Sequence, residues 1–176
     1  AWRAHTRTHI QPASADGDHV TTHLVLFCGR VEVDGVVSGL SVGVPGTLSV
    51  LELAHQHHGK LPWATLMEPA IHLAENGFKL SPRLHRVLLE EKFLINDPVA
   101  ASYFYDNQGK PLPIGHLLKN PELASVFRDI AKRGSQALKQ GPTAEAIVQK
   151  VRSHPKRPGT MTLQDLADYR VIKREP

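Results

Sequence analysis

From Thr47 onward the apolar positions recur at the three-to-four spacing of helices, and glycine and proline punctuate them. Leu48, Leu51, Ala54 and His55 share one face of a first helix that Gly59 ends. Pro62 suits the first turn of a second, Pro69 should kink or restart it, and Gly77 closes it. Ser81-Pro82 reads as an N-cap with proline at the first helical position; Leu84, Val87, Leu88 and Glu91 then keep helical spacing, and Asn96-Asp-Pro98 should stop that helix near Ile95. The stretch Tyr103-Phe-Tyr-Asp-Asn-Gln-Gly109 ends in turn chemistry, and the two prolines of Lys110-Pro-Leu-Pro-Ile-Gly115 argue for a loop.

Asn120-Pro121 caps a further helix, whose Leu123, Val126, Phe127 and Ile130 fall at i, i+3, i+4 and i+7 before Gly134. A short turn of helix over residues 135–140 precedes Gly141-Pro142, which opens another with Ala144, Ile147, Val148 and Val151 inward. Thr162 and Asp165 form a capping box ahead of Leu166 and Tyr169. Val171-Ile-Lys-Arg-Glu-Pro176 resembles the beginning of a strand. The pattern predicts a mainly α chain of about six helices with no repeat of the roughly 20–50-residue period of a solenoid.

The start is different. Residues 1–37 mix Thr, His, Arg, Asp and Gly without helical period, and only residues 20–37 have strand content, enough for a candidate hairpin turning near Cys28-Gly-Arg30. Between this segment and the first helix lies Gly39-Leu-Ser-Val-Gly-Val-Pro-Gly46, a strand-like run into a tight Gly-Pro-Gly turn. Its spacing matches neither the dinucleotide fingerprint nor the phosphate-binding loop, which needs Lys-Ser/Thr after its last glycine.

Composition narrows the classes. With 176 residues, 41% apolar and 22% charged, the chain suits one globular domain. No stretch is apolar for the ~18 residues a membrane span needs. The basic start has no apolar run behind it, so no secretory signal is expected within the chain. Cys28 alone makes no internal disulfide. The net charge of +4 resides in residues 150–176, with seven Lys/Arg against three acids. Two prolines break that cluster and Tyr169 is its one aromatic, so it reads as a solvated face and not as a nucleic-acid site.

The densest candidate chemistry is His55, His57 and His58. A zinc site on a helix wants two histidines at i, i+4 with a third ligand elsewhere, and these three offer only an i, i+3 pair. A polar C-terminal turn suits them better, because protonated histidine complements the helix dipole. His19 and His23 are i, i+4, but in a segment with no helical pattern. Glu52, Glu68, Glu75, Glu90 and Glu91 fall on helices and default to surface charge, with Glu68 and Trp63 the pair for which a packing role is expected.

Several motifs in one order carry a resemblance. Gly-Leu-Ser-Val-Gly-Val-Pro-Gly-Thr-Leu from Gly39, Gly59-Lys-Leu-Pro-Trp63, Glu68-Pro-Ala-Ile71, Leu73-Ala-Glu-Asn-Gly-Phe78 and Met161-Thr-Leu-Gln-Asp-Leu-Ala-Asp-Tyr169 resemble the large subunit of gamma-glutamyltranspeptidase over roughly residues 38–176. The resemblance implies the helical part of an αββα N-terminal nucleophile hydrolase fold. It further implies an enzyme that hydrolyses or transfers the gamma-glutamyl group of glutathione and related compounds through an acyl-threonine, with no cofactor and no metal. Its partner would be the small catalytic subunit cut from the same precursor, and its location periplasmic or secreted.

The family's catalytic positions find no match. A small subunit of this family begins with a Thr-Thr-His-like sequence, whose freed amine activates the first hydroxyl. Thr21-Thr-His23 lies ahead of the large-subunit motifs, with twenty residues before it, and no Ser-rich continuation follows. The family's carboxylate-clamping arginine sits in Arg-Glu-x-Ala-Pro, and Arg30 lacks that context. The expected catalytic, substrate-binding, cofactor and metal residues are therefore none, and the chain is expected to be a scaffold fragment without turnover. The change of character before residue 38 suggests that residues 1–37 come from an incomplete or frame-shifted reading of the gene. Two other readings remain: a free-standing helical binding or interaction module, and a small hydrolase using Thr21 or Cys28.

Overall fold

The structure is a computed structural model that describes residues 37–173. The candidate hairpin at 20–37, except for Val37, lies outside the described residues, as do His19, His23, Thr21, Cys28, Arg30 and residues 174–176. All the described residues belong to the second of the chain's two compact units.

Eight helices account for most of the described residues. They are α1 (Thr47–His58), α2 (Trp63–Asn76), α3 (Pro82–Glu90), α4 (Pro98–Phe104), α5 (Pro121–Arg133), α6 (Gln136–Lys139), α7 (Pro142–Arg152) and α8 (Leu163–Asp168). The described strands are the two-residue pieces β1 (Phe78–Lys79) and β2 (Leu117–Leu118), paired antiparallel with Phe78 opposite Leu118.

Local chemistry sets the helix starts. The side chains of Ser81, Asp97 and Asn120 each accept a backbone N–H of the following turn, and each stands before a proline whose missing donor costs nothing there. Thr162 and Asp165 form the reciprocal capping box the sequence predicts. Gly134, at φ +60, ends α5, and Gly77, at φ +91, ends α2.

Four expectations need correction. Helix α2 runs unbroken through Pro69, so the proline neither stops nor restarts it. Helix α3 ends at Glu90 rather than near Ile95. There the Glu91 carboxylate accepts the Phe93 N–H at 2.8 Å, and the Tyr105 hydroxyl donates at 3.2 Å to the carbonyl of Leu88, one of the orphaned carbonyls of the last turn. The chain turns through a 3-10 segment, Leu94–Asn96, and Asn96-Asp-Pro98 opens α4, a helix the sequence pattern did not reveal. Finally, residues 40–44 form no strand: a 3-10 turn, Gly39–Ser41, is followed by extended chain.

The glycines of that stretch act through space and not through φ. None of Gly39, Gly43 and Gly46 has a positive φ. A Cβ on Gly39 would stand 2.1 Å from the Val151 carbonyl oxygen, and one on Gly46 would stand 2.2 Å from the Tyr169 ring. The turn is therefore clamped between α7 and the residue that follows α8.

Two small cores result. Leu80, Leu88, Tyr105 and Leu118 form one, with Leu84, Leu94, Phe104 and Leu112 packed on it. Ala144, Val151, Met161 and Leu166 form the other, with Val44, Ile147 and Val148 against it, as the spacing in α7 predicts. Helix α2 packs along α5, joined by the Trp63 indole N–H donating at 3.0 Å to the Ile130 carbonyl and by an Arg128–Glu75 ion pair.

Other faces stay uncovered. Leu51 and Ala54 of the face predicted for α1 are exposed, while Ser49 is the residue of that helix that is buried. Leu123 of α5 is exposed too, and the buried positions there are Ala124 and Ile130.

Candidate functional site

The three histidines at the end of α1 separate in space. His55 lies with Nε2 2.8 Å from the Leu61 carbonyl, which can only accept, so Nε2 carries the proton. Its ring meets the Trp63 indole edge-on at 5.3 Å between centroids. A Cβ on Gly59 would strike that imidazole at 2.3 Å, which explains the glycine although its φ is −68°. His57 and His58 are exposed. Among the described residues no group of three His, Cys, Asp or Glu side chains stands close enough to hold a metal ion.

The acids divide. Glu68, expected in a packing role, is exposed, whereas Trp63 is half-buried and hydrogen-bonded. Glu52, expected as surface charge, reaches across to the α5–α6 junction and accepts the Ser135 N–H at 3.0 Å. It fills the space beside Gly134, where a Cβ would lie 1.9 Å from its Oε1. That contact joins residues 83 apart in sequence, and no local pattern could have announced it.

The bonded hydroxyls serve the backbone. Ser41, Ser102 and Ser153 each donate to a carbonyl three residues back, Ser81 caps α3, and Thr162 is held within its capping box. The hydroxyl–carboxylate pair among them, Thr162 Oγ1 donating to Asp165 Oδ2 at 2.8 Å, is taken up by the capping box, where the same oxygen accepts the Thr162 N–H.

One cleft of about 600 Å³ has a mostly apolar lining with convergent polar groups, between the Phe93 to Pro98 turn and the loop that follows α7. Asp97 is fixed on its rim: Oδ1 accepts the N–H groups of Val99 and Ala100 at 3.0 and 3.1 Å, and Oδ2 accepts from Lys150. The Lys150 hydrogen bond, foremost, holds the Asp97 carboxyl below its usual range. A second, shallower hollow is lined by Glu122, Asp129 and Arg133, in which the Arg133 guanidinium grips both oxygens of Asp129 and depresses its pKa.

The comparisons with known proteins fit this helical architecture. The structure of gamma-glutamyltranspeptidase from Helicobacter pylori superposes with a TM-score of 0.69 at 29% identity, over 77% of this chain and 38% of that one. That of gamma-glutamyltranspeptidase from Pseudomonas nitroreducens, complexed with L-DON, gives 0.67 at 32% identity, over 91% and 45%. A glutathione hydrolase proenzyme from Arthroderma benhamiae is 39% identical over 140 residues, 77% of this chain and 23% of its own length. The described residues are thus the helical part of an N-terminal nucleophile hydrolase fold. The gamma-glutamyltranspeptidase family model matches residues 12–176, and the chain belongs to that family. It spans about a quarter of the length of the curated relatives it matches.

Proposed function

We propose that this chain is scaffold from the large subunit of a gamma-glutamyltransferase, an enzyme that hydrolyses or transfers the gamma-glutamyl group of glutathione and related compounds. The observation that carries the reading is a family match over residues 12–176 together with apolar side chains exposed on helices of the described residues: Val50 and Leu51 on α1, Leu66 and Leu73 on α2. A helix layer built to stand alone would cover apolar helix positions of this kind. The small catalytic subunit of the same precursor supplies the cover and the nucleophilic threonine. Residues 38–176 contribute no catalytic or substrate-contacting group, no metal ligand and no cofactor site. The assembled enzyme acts in the periplasm or outside the cell. Among the described residues no helix is long and apolar enough to cross a membrane.

The test uses the purified 176-residue chain. It should release no p-nitroaniline from gamma-glutamyl-p-nitroanilide and should bind 8-anilinonaphthalene-1-sulfonate on its bare apolar faces. A cooperative, dye-free monomer would instead establish the free-standing interaction module. Turnover abolished by Thr21→Ala or Cys28→Ala would establish the small hydrolase.

A further inference from the structure

We propose that the cleft between the Phe93 to Pro98 turn and the loop after α7 is a binding site for a small organic carboxylate with an apolar, preferably aromatic, body. Phe93, Pro98 and Pro155 supply apolar walls, and Lys150, His154 and Lys156 stand at the rim. At about 600 Å³ it falls in the range of roughly 300–1,000 Å³ typical of small-molecule sites.

Charge decides the sign of the ligand. Among the described residues Asp97 is the carboxylate of the lining, and both its oxygens are spent, one on the first turn of α4 and the other on Lys150. That pair cancels, which leaves the Lys156 ammonium as the uncompensated charge among the described lining residues. His154 adds a donor. Its Nδ1 accepts the Arg157 backbone N–H at 3.2 Å, so in the neutral ring the proton sits on Nε2. The Ser153 hydroxyl and the Asn96 amide already donate to the carbonyls of Lys150 and Lys92. The cleft therefore offers cationic and neutral donors over an apolar floor, complementary to one carboxylate with an apolar tail and not to a metal or a cation.

The site is independent of the transferase reading, since no residue in it belongs to the chemistry proposed above. Its test is a titration of the 176-residue chain with phenylacetate, followed by proton–nitrogen NMR. Phenylacetamide serves as the neutral isostere and acetate as the bare anion. Saturable shifts at Phe93 and His154 are expected for phenylacetate, with phenylacetamide and acetate each at least tenfold weaker. Lys156→Ala, on an exposed loop, should weaken phenylacetate at least tenfold while leaving the circular dichroism spectrum unchanged. Four results overturn the proposal: no saturation, phenylacetamide as strong as phenylacetate, acetate as strong as phenylacetate, or undiminished binding by Lys156→Ala.

Discussion

Gly39 and Gly159 face each other so closely that neither position has room for a methyl group. The Gly39 N–H donates to the Arg157 carbonyl at 2.9 Å, and the Gly159 N–H donates to that of Val151 at 2.9 Å. A Cβ on Gly159 would lie 2.3 Å from the Gly39 oxygen. The obstructing atoms are backbone, which cannot swing aside as a side chain can. Gly39→Ala should therefore destabilise the chain by about 3 kcal/mol, the upper range for overpacking. Gly43→Ala, with nothing within 4 Å, is the control and should stay within about 0.5 kcal/mol. Urea titration of both variants checks the contrast, and equal effects would remove the close-approach account.

Trp63 ties the start of α2 to the end of α5 through Ile130, whose carbonyl also accepts the Gly134 N–H at 2.8 Å. Trp63→Phe keeps most of the ring and deletes the donor. A loss of roughly 1–2 kcal/mol is expected, from one hydrogen bond plus reduced packing. Thermal unfolding measures it, and the His55 ring signals should shift because the two rings are in edge contact.

Tyr105 should make the fold sensitive to alkali. Burial, with a smaller contribution from Glu91, raises its pKa above the ordinary tyrosine value, and burial raises that of Tyr103 as well. Folded-state values above unfolded ones mean stability that is complete below the unfolded pKa, near 10, and lost as pH rises through the folded value. Tyr105→Phe should cost about 1 kcal/mol at neutral pH, the hydroxyl's bond to Leu88, and flatten part of the alkaline decline. An unchanged pH profile between about 9 and 12, the range through which tyrosine ordinarily ionises, would contradict the assignment.

Asp97 gives the opposite dependence. Its folded pKa is depressed, first by Lys150 and then by the Ala100 N–H, so its contribution is present above the unfolded value of 3.8 and disappears as pH falls through the lower folded value. Asp97→Asn keeps a capping oxygen and removes the charge. The variant should lose the part of the acid transition below about pH 4 that the wild type shows. Asp97→Ala removes the cap too and should cost about 1 kcal/mol at neutral pH.

Glu52→Gln tests a long-range cap. The amide oxygen can still accept the Ser135 N–H, so the expected loss is below about 1 kcal/mol, whereas Glu52→Ala leaves a buried backbone donor unpaired and should cost about 1–3 kcal/mol. Hydrogen exchange at the Ser135 amide reads the effect directly.

What the sequence determined by itself is the set of local signals. Ser81-Pro82, Asn120-Pro121 and Thr162 with Asp165 start helices where expected, because a cap needs only a side chain and a backbone N–H two or three residues away. The face of α7 was equally legible, and the motifs led to the family that the comparisons establish. Tertiary structure decided the rest. Helix α3 stops at Glu90 where Tyr105, remote in sequence, takes a terminal carbonyl, and Glu52 leaves the surface for Ser135. The apolar spacing of α1 did not say which face the described residues would bury, since periodicity defines a stripe and only a partner defines its burial. Gly39 is a glycine because Gly159 and Val151 come to it through folding, a proximity that no spacing within eight residues of turn can encode.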